Sequence, residues 1–388
     1  MSDNKVVVIG GGYAGALAAN RLRMRADVDV TLVNPRPEFV ERVRLHQFAA
    51  GTGQVIVNYG TLLGEGVRLV VDSAVRIDIV ARTVLLASGR TLDYDYLIYA
   101  VGSTATIPPS VPGAAEFAYG VAEFESARRL RARLEELPPD APVTVVGGGL
   151  TGIETAAELA EQGRAVTLVC GRSLAPSFSP SGRRAVARWL SRHGVAVLED
   201  VMVGEVRPDA LVFAGGAAQT SALTVWAGGF GVPGLAAASG LQTDGLGRLL
   251  TDETLTSVDD DRIVAAGDAA APSGRPLRMS CYAAGPLGAQ AADTVLSRIA
   301  GTEPAVINLA FSGACVSLGR RMAVRQIARK DDTAMNAYVG GRMGAVIKEF
   351  TCKFAVTRIR REAGRPGSAM WLKGGPRLEQ SAPSIRGS

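Results

Sequence analysis

The chain has 388 residues, of which 47% are hydrophobic and 20% charged, with a formal net charge of +5. That balance excludes a disordered polyelectrolyte and supplies enough apolar material for roughly two to three domains. Aromatic residues make up only 5%, a poor supply for stacking on bases, so no nucleic-acid partner is expected.

Residues 5–36 run from an apolar β-type stretch through a triple-glycine turn and an Ala-rich helical stretch into a second β-type stretch, Val-Thr-Leu-Val. Short β-patterned runs follow at 67–72, 81–87 and 91–100, and the Pro-rich stretch 107–113 reads as a linker. Residues 123–137 have helical periodicity and many arginines, and Pro138-Pro139 stops them. Residues 142–172 then repeat the opening unit, with Gly147 answering Gly10 and Cys170 answering Asn34. Further β-runs stand at 194–199, 210–214 and 222–230, and 246–271 contains Ile263-Val264-Ala265-Ala266-Gly267-Asp268. A helix is expected to begin near Pro286, since proline suits a first helical turn, and to run to about Ile299. Residues 306–388 hold 15 Lys/Arg against 5 Asp/Glu, so the basic excess is C-terminal and the remainder is acidic. They read as short strands, a basic helix over 342–361, and a Gly/Pro/Ser-rich tail expected to fray.

Gly10, Gly12 and Gly15 form GxGxxG directly after a strand and at a helix start, the context that lifts the motif above chance. The spacing meets three demands: a tight turn, backbone approach to a pyrophosphate, and close packing of helix on sheet. Free N–H groups and the dipole at the helix start then attract phosphate. Gly147, Gly149 and Gly152 repeat the pattern, so two dinucleotides are expected. The position about 20 residues after the glycines, normally an acid that reads ribose, is Asn34 in one unit and Cys170 in the other. Asn34 can still hydrogen-bond a hydroxyl, whereas Cys170 hardly can. With no carboxylate to repel a 2′-phosphate and Arg172 two residues on, the spacing favours NADPH over NADH.

Cys170, Cys281, Cys315 and Cys352 lie far apart, and the only histidines are His46 and His193, so neither a disulfide framework nor a metal site is expected. The start of the chain carries no cationic leader pattern, and no apolar run reaches the ~18–20 residues of a membrane span. A cytoplasmic protein is expected, with membrane association through the basic helix as an extension of that reading.

The twin glycine motifs, the run Tyr94-Asp95-Tyr96-Leu97-Ile98-Tyr99-Ala100-Val101-Gly102 and the run Ala266-Gly267-Asp268 resemble the two-dinucleotide flavoprotein superfamily. Within it the chain is similar to type II NADH dehydrogenases and apoptosis-inducing-factor-like oxidoreductases. The resemblance implies an α/β fold of two Rossmann-like domains, the second inserted in the first, plus a small C-terminal α+β domain. The expected boundaries are 1–115 and 240–305 for FAD, 116–239 for NAD(P)H, and 306–388 for a C-terminal interface domain. FAD would meet Gly10, Gly12, Ala14, Gly15, Asn34, Arg42, Ala100, Gly102, Gly267 and Asp268, with the Gly267-Asp268 pair at the ribityl chain. The nicotinamide nucleotide would meet Gly147, Gly149, Gly152 and Arg172. The helix near Pro286 would point its positive end at the flavin, where a helix end contributes up to ~2 kcal/mol. That corresponds to about 40 mV of two-electron potential at ~30 mV per 1.4 kcal/mol.

Disulfide-reducing members carry paired cysteines after the first repeat, and this chain has none before Cys170. Electrons are therefore expected to pass directly from flavin to a small, quinone-like acceptor; Ala289-Gln290 matches the Ala-Gln pair of a quinone signature of the resembled dehydrogenases, while the preceding Gly285-Pro286-Leu287-Gly288 departs from that pattern. Candidates beside the reacting groups are His46, Cys281, Tyr282 and Gln290; Arg44 joins Arg42 and His46 on a loop that either returns toward the cofactor or is a solvated basic loop, and Cys281 reads more readily as a small buried cysteine. In 342–361, Met343, Val346, Ile347, Phe350 and Phe354 recur at helical spacing; such a stripe more often covers the protein's own core or a dimer interface than a membrane. Two other function classes stand open: a biosynthetic oxidase or dehydrogenase with a degraded nicotinamide site, and an NAD(P)H-responsive redox sensor.

Overall fold

The computed structural model describes residues 4–375. Among them are six helices of ten or more residues: α1 (Tyr13–Leu22), α2 (Phe124–Glu136), α3 (Leu150–Glu161), α4 (Pro180–Arg192), α5 (Cys281–Ile299) and α6 (Gly341–Gly364). The opening repeat folds as a strand–turn–helix–strand unit whose strands, Asn4–Ile9 and Val28–Asn34, lie in a five-stranded parallel sheet. Its order is Ile263–Ala265, Tyr96–Tyr99, Asn4–Ile9, Val28–Asn34, Val67–Val71. Val6 pairs with Val30 and Val8 with Leu32; parallel strands covered on both faces need such unbroken apolar runs.

The second repeat builds a second parallel sheet, ordered Ala118–Gly120, Leu223–Trp226, Val143–Val146, Val166–Val169, Ala196–Leu198. Ile263–Ala265 returns to pair with Tyr96–Tyr99, so the second unit is inserted in the first and the expected fold class is borne out. Where the chain passes between the units, Thr104–Ala105 pairs antiparallel with Phe230–Gly231. Three antiparallel strands, Gly313–Leu318, Met322–Ala328 and Ala334–Val339, form the C-terminal sheet.

Helices α1 and α5 cross closely because Gly288 has no side chain: a Cβ there would stand 2.2 Å from the Ala14 carbonyl oxygen. Buried polar groups strap α6 to both. Arg21 Nε donates to Asp293 at 2.6 Å and Arg21 Nη1 to Glu362 at 3.2 Å, while Asn20 Nδ2 donates to the Ile359 carbonyl at 3.2 Å. These bonds seat α6 beside the site.

Three expectations need correction. Helix α5 starts at Cys281, not near Pro286: Ser280 is the N-cap, its Oγ accepting from Ala283 N at 3.3 Å, and Pro286 lies inside the helix. A capping serine defines the start, and the proline only removes the bond that the Tyr282 carbonyl would otherwise accept. The stripe of α6 does not cover the core: Met343, Val346, Phe350 and Phe354 are 63%, 64%, 66% and 43% exposed. The helix instead buries Gly344, Cys352, Ala355, Val356 and Ile359 on its other face. Nor does the chain fray directly after α6. Trp371 Nε1 donates to the Asn308 carbonyl at 2.9 Å, and the N–H groups of Gly374 and Gly375 donate to Asn308 Oδ1. The remainder of the expected tail lies outside the described residues. No helix among the described residues is long and apolar enough to cross a membrane.

Candidate functional site

The first glycine turn opens onto a cavity of about 440 Å³ lined by Gly10, Gly12, Ala14, Asn34, Arg42, Ala100, Gly102, Gly267 and Asp268. Its glycines serve separate ends. Gly10, at φ +101°, would place a Cβ 2.3 Å from the Ala100 carbonyl oxygen, and Gly15 would place one 1.8 Å from the Gly10 oxygen. Gly15 is a packing residue and does not line the cavity. A Cβ at Gly12 would meet nothing within 4 Å, so this glycine keeps the cavity open rather than the fold closed. Asn34 Oδ1 accepts from Gly11 N at 2.9 Å, and Tyr59 Oη donates to Gly11 O at 2.7 Å. Both ends of that peptide are held by side chains.

A second cavity of about 590 Å³ shares Tyr13, Arg42, Ser103, Asp268 and Ala284 with the first, so the two adjoin. Asp268 sits at the junction, its carboxylate accepting from Ser103 Oγ at 2.8 Å and from Ser280 N at 3.1 Å. Arg42 is fixed over the same place by the carbonyls of Ser103 and Ala122. Cys281 and Tyr282 open α5 and line this cavity; first-turn N–H groups have no acceptor within their own helix and carry partial positive charge. Burial pushes the Cys281 thiol up to about 12, so it is protonated. Cys315 and Cys352 line the same space.

The far wall holds a buried polar cluster. Lys348 Nζ stands 2.7 Å from Glu154 Oε1, which also accepts from Ser317 N at 3.0 Å. His46 Nδ1 lies 3.7 Å from Glu154 Oε2, and its Nε2 meets Ser317 Oγ at 3.3 Å. Burial pushes His46 down to about 4 although Glu154 opposes it, so the ring is neutral. Burial would raise Glu154, yet Lys348, with the Ser317 N–H, holds it below the usual carboxylate range. Burial likewise works against the Lys348 ammonium, and Glu154 raises it above its ordinary value. The pair is ionised, and sequence reading missed it. The available signal was Glu154 with Glu158, two acids one turn apart on an Ala-rich helix.

The second glycine turn repeats the first in its packing. Gly147, at φ +131°, would press a Cβ to 2.8 Å from Ala227 C, Gly152 would press one to 1.9 Å from Gly147 O, and Gly149 is open. The middle peptide differs, since Gly148 O accepts from Ala175 N at 2.8 Å and Cys170 offers nothing comparable to Asn34. Burial, then Glu199, pushes the Cys170 thiol up to about 12. The Glu199 carboxylate accepts from Leu174 N at 2.6 Å, supplying from the next strand a negative charge that the repeat itself lacks. Arg172 is exposed and lines neither cavity.

Two candidates are displaced. Arg44 turns to Glu349 at 2.9 Å, away from both cavities, because α6 brings a carboxylate to it. Gln290 donates Nε2 to the Ala305 carbonyl at 2.5 Å and lines neither cavity; with α5 starting at Cys281 it lies over two turns from the junction. Tyr282 stays in place, its hydroxyl donating to the Ala310 carbonyl at 3.0 Å.

Two repeated strand–glycine turn–helix units beside adjoining cavities define a flavin-dependent oxidoreductase of the two-nucleotide class. The chain belongs to the pyridine nucleotide-disulphide oxidoreductase family, whose profile matches residues 4–292; it uses FAD and a nicotinamide nucleotide. It is 32% identical over 323 residues to an NADH dehydrogenase-like protein of Mycobacterium tuberculosis, covering 76% of this chain and 80% of that one. A type II NADH:quinone oxidoreductase of Staphylococcus haemolyticus is 26% identical over 382 residues, 86% of this chain and 92% of the relative. The fold matches the sulfide:quinone oxidoreductase of Aquifex aeolicus with a TM-score of 0.78 at 20% identity, over 92% of both chains. It matches NDH2 of Plasmodium falciparum with a TM-score of 0.76 at 16% identity, over 96% of this chain and 100% of that one.

The residues fit FAD. The first cavity takes in Asn34, the open glycine turn and Asp268, and the second, sharing Asp268, reaches the start of α5; Gly12 lines the first, with nothing within 4 Å of where a Cβ would stand.

Proposed function

We propose that this chain takes hydride from NADH or NADPH and delivers two electrons to a small quinone-like acceptor in the second cavity. FAD would lie along 1–115 and 240–305, the nicotinamide nucleotide along 116–239, and 306–388 would wall the acceptor side. The observation that carries this reading is that the two cavities adjoin at Tyr13, Arg42, Ser103, Asp268 and Ala284, with the Glu154–Lys348 pair on the wall of the second. FAD, when bound, supplies the hydride acceptance and two-electron delivery that side chains lack.

The protein's own residues bind and orient. Gly12 and the first turn of α1 offer backbone N–H groups to a pyrophosphate, Gly10 N being spent on the Val33 carbonyl, Asp268 accepts from a ribityl hydroxyl, and the start of α5 favours negative charge at the flavin. Gly147, Gly149 and Gly152 present the second nucleotide, with Leu150 and Thr151 on the cavity wall. Quinone reduction to hydroquinone consumes one proton beyond the hydride. Lys348 holds a proton at Nζ beside the cavity, Glu154 stabilises it there, and neutral His46 braces Glu154. The exposed apolar residues of α6 support peripheral contact with a membrane, where a lipophilic acceptor would dissolve.

Lys348→Met tests the acceptor half. Reoxidation of the NADH-reduced enzyme by menadione should slow about 10²- to 10⁴-fold, the range of a lost proton donor, and by more than flavin bleaching slows in the stopped flow. Unchanged reoxidation removes Lys348 from the reaction, and failure of every quinone to reoxidise the wild type removes the acceptor class.

A further inference from the structure

The second cavity carries one charge that its walls do not answer. Lys348 is paired with Glu154 at 2.7 Å, Arg278 with Asp332 at 2.5 Å, and Arg248 with Asp244 at 2.6 Å. Arg42 reaches Asp268 through Ser103, whose carbonyl it binds at 2.7 Å and whose hydroxyl donates to the carboxylate at 2.8 Å. Arg325 differs. It lines the cavity and has no carboxylate partner among the described residues. Nη2 donates to Ser312 Oγ at 2.7 Å and Nη1 to Cys315 Sγ at 3.7 Å.

Those neutral partners fix the guanidinium without neutralising it. Its neighbour Gln326 turns to the opposite face of the strand, where Ser179 donates to it, so strand alternation aims Arg325 at the cavity. A half-buried charge without a counter-charge is costly, and the forked donors of a guanidinium match carboxylate, sulfonate or phosphate oxygens.

We propose that the acceptor carries an anionic group and that Arg325 binds that group. The inference rests on the oxidoreductase reading above and narrows its acceptor class. In turnover NADH and one proton reduce the quinone to the hydroquinone, and the nicotinamide is oxidised. The anionic substituent keeps its charge throughout, so Arg325 holds oxidant and product alike and acts on KM more than on kcat.

The test uses oxidised holoenzyme without nucleotide and two probes, 1,4-naphthoquinone-2-sulfonate and menadione, whose binding is read from the perturbed flavin spectrum. Hydrophobic burial alone favours menadione. The proposal expects the sulfonate to bind the wild type at least tenfold more tightly. In Arg325→Met that preference should collapse, in Arg325→Lys part of it should survive, and salt should shrink it. A wild type without preference for the sulfonate, or an Arg325→Met enzyme that keeps one, overturns the proposal. So does an effect of Arg325→Met on the KM for NADH with the quinone preference intact. If the sulfonate binds as expected but NADH reduces neither probe, the oxidoreductase reading fails while the anion site stands.

Discussion

The two glycine turns share their packing and differ in how the middle peptide is held. In the first, side chains from the second strand and the 59–61 turn grip both ends of the Gly11 peptide: Asn34 accepts its N–H and Tyr59 donates to its carbonyl. In the second, Ala175 N on the adjoining loop holds the carbonyl of Gly148, no side chain among the described residues is seen to grip its N–H, and buried Cys170 stands where an acceptor would be. A turn clamped by side chains is preorganised for a resident cofactor. A turn fastened by a loop suits a nucleotide that arrives and leaves each cycle. One repeated sequence unit has thus been finished in two ways.

The strongest way to break this comparison is to fill each turn in turn. A Cβ at Gly12 or Gly149 meets nothing within 4 Å, so Gly12→Val should fold and lose FAD, seen as a colourless protein. Gly149→Val should stay yellow and lose bleaching by NADH. If either substitution abolishes the function of the other site, the turns are not independent.

A smaller effect tests the cluster that joins the units. Folded His46 titrates near 4 against an ordinary value of 6.5, so the unfolded chain binds the extra proton between those values. Its contribution is complete above pH 6.5 and lost as pH falls toward 4, at most on the order of 3 kcal/mol. Urea midpoints across that window should fall less steeply for His46→Asn than for the wild type; parallel slopes would show that the ring does not titrate on unfolding.

Exchanging the strand-end residues sharpens the contrast further. Asn34→Cys removes the acceptor for Gly11 N and should cost about 1–3 kcal/mol, read as a lower thermal midpoint and weaker FAD retention, while Cys170→Asn should not weaken nicotinamide binding. The smallest expected effect is at Glu199. Its carboxylate lies by Cys170 and opposes a 2′-phosphate, so Glu199→Gln should raise the kcat/KM ratio of NADPH to NADH by a few-fold, about 1 kcal/mol for an exposed charge. An unchanged ratio would leave selection to Arg172 alone.

Most of the scaffold was legible because its demands are local. A strand, three glycines at fixed spacing and an Ala-rich helix announce the same turn twice, and Ala266-Gly267-Asp268 marks the strand that returns to the first sheet. What escaped depends on distant pairings. Glu154 and Lys348 meet only because α3 and α6 both pack against the strand Gly313–Leu318, and no spacing relates them. For Arg44 the sequence leaves a cofactor-facing loop and a solvated one equally open, and the structure takes neither, because a carboxylate on α6 captures it. Pro286 misled because a proline signals a helix start, while Ser280 supplied the cap. The apolar stripe of α6 was periodic as read, but periodicity cannot say which face turns inward when the opposite face also carries apolar residues.

The most direct test of the two-nucleotide assignment is an anaerobic titration of the purified protein, followed by visible absorbance. The expected result is a yellow protein whose flavin bands bleach with one equivalent of NADH or NADPH per flavin and return when a quinone is added. A folded protein that binds FAD yet is bleached by dithionite and by neither nicotinamide nucleotide would contradict it.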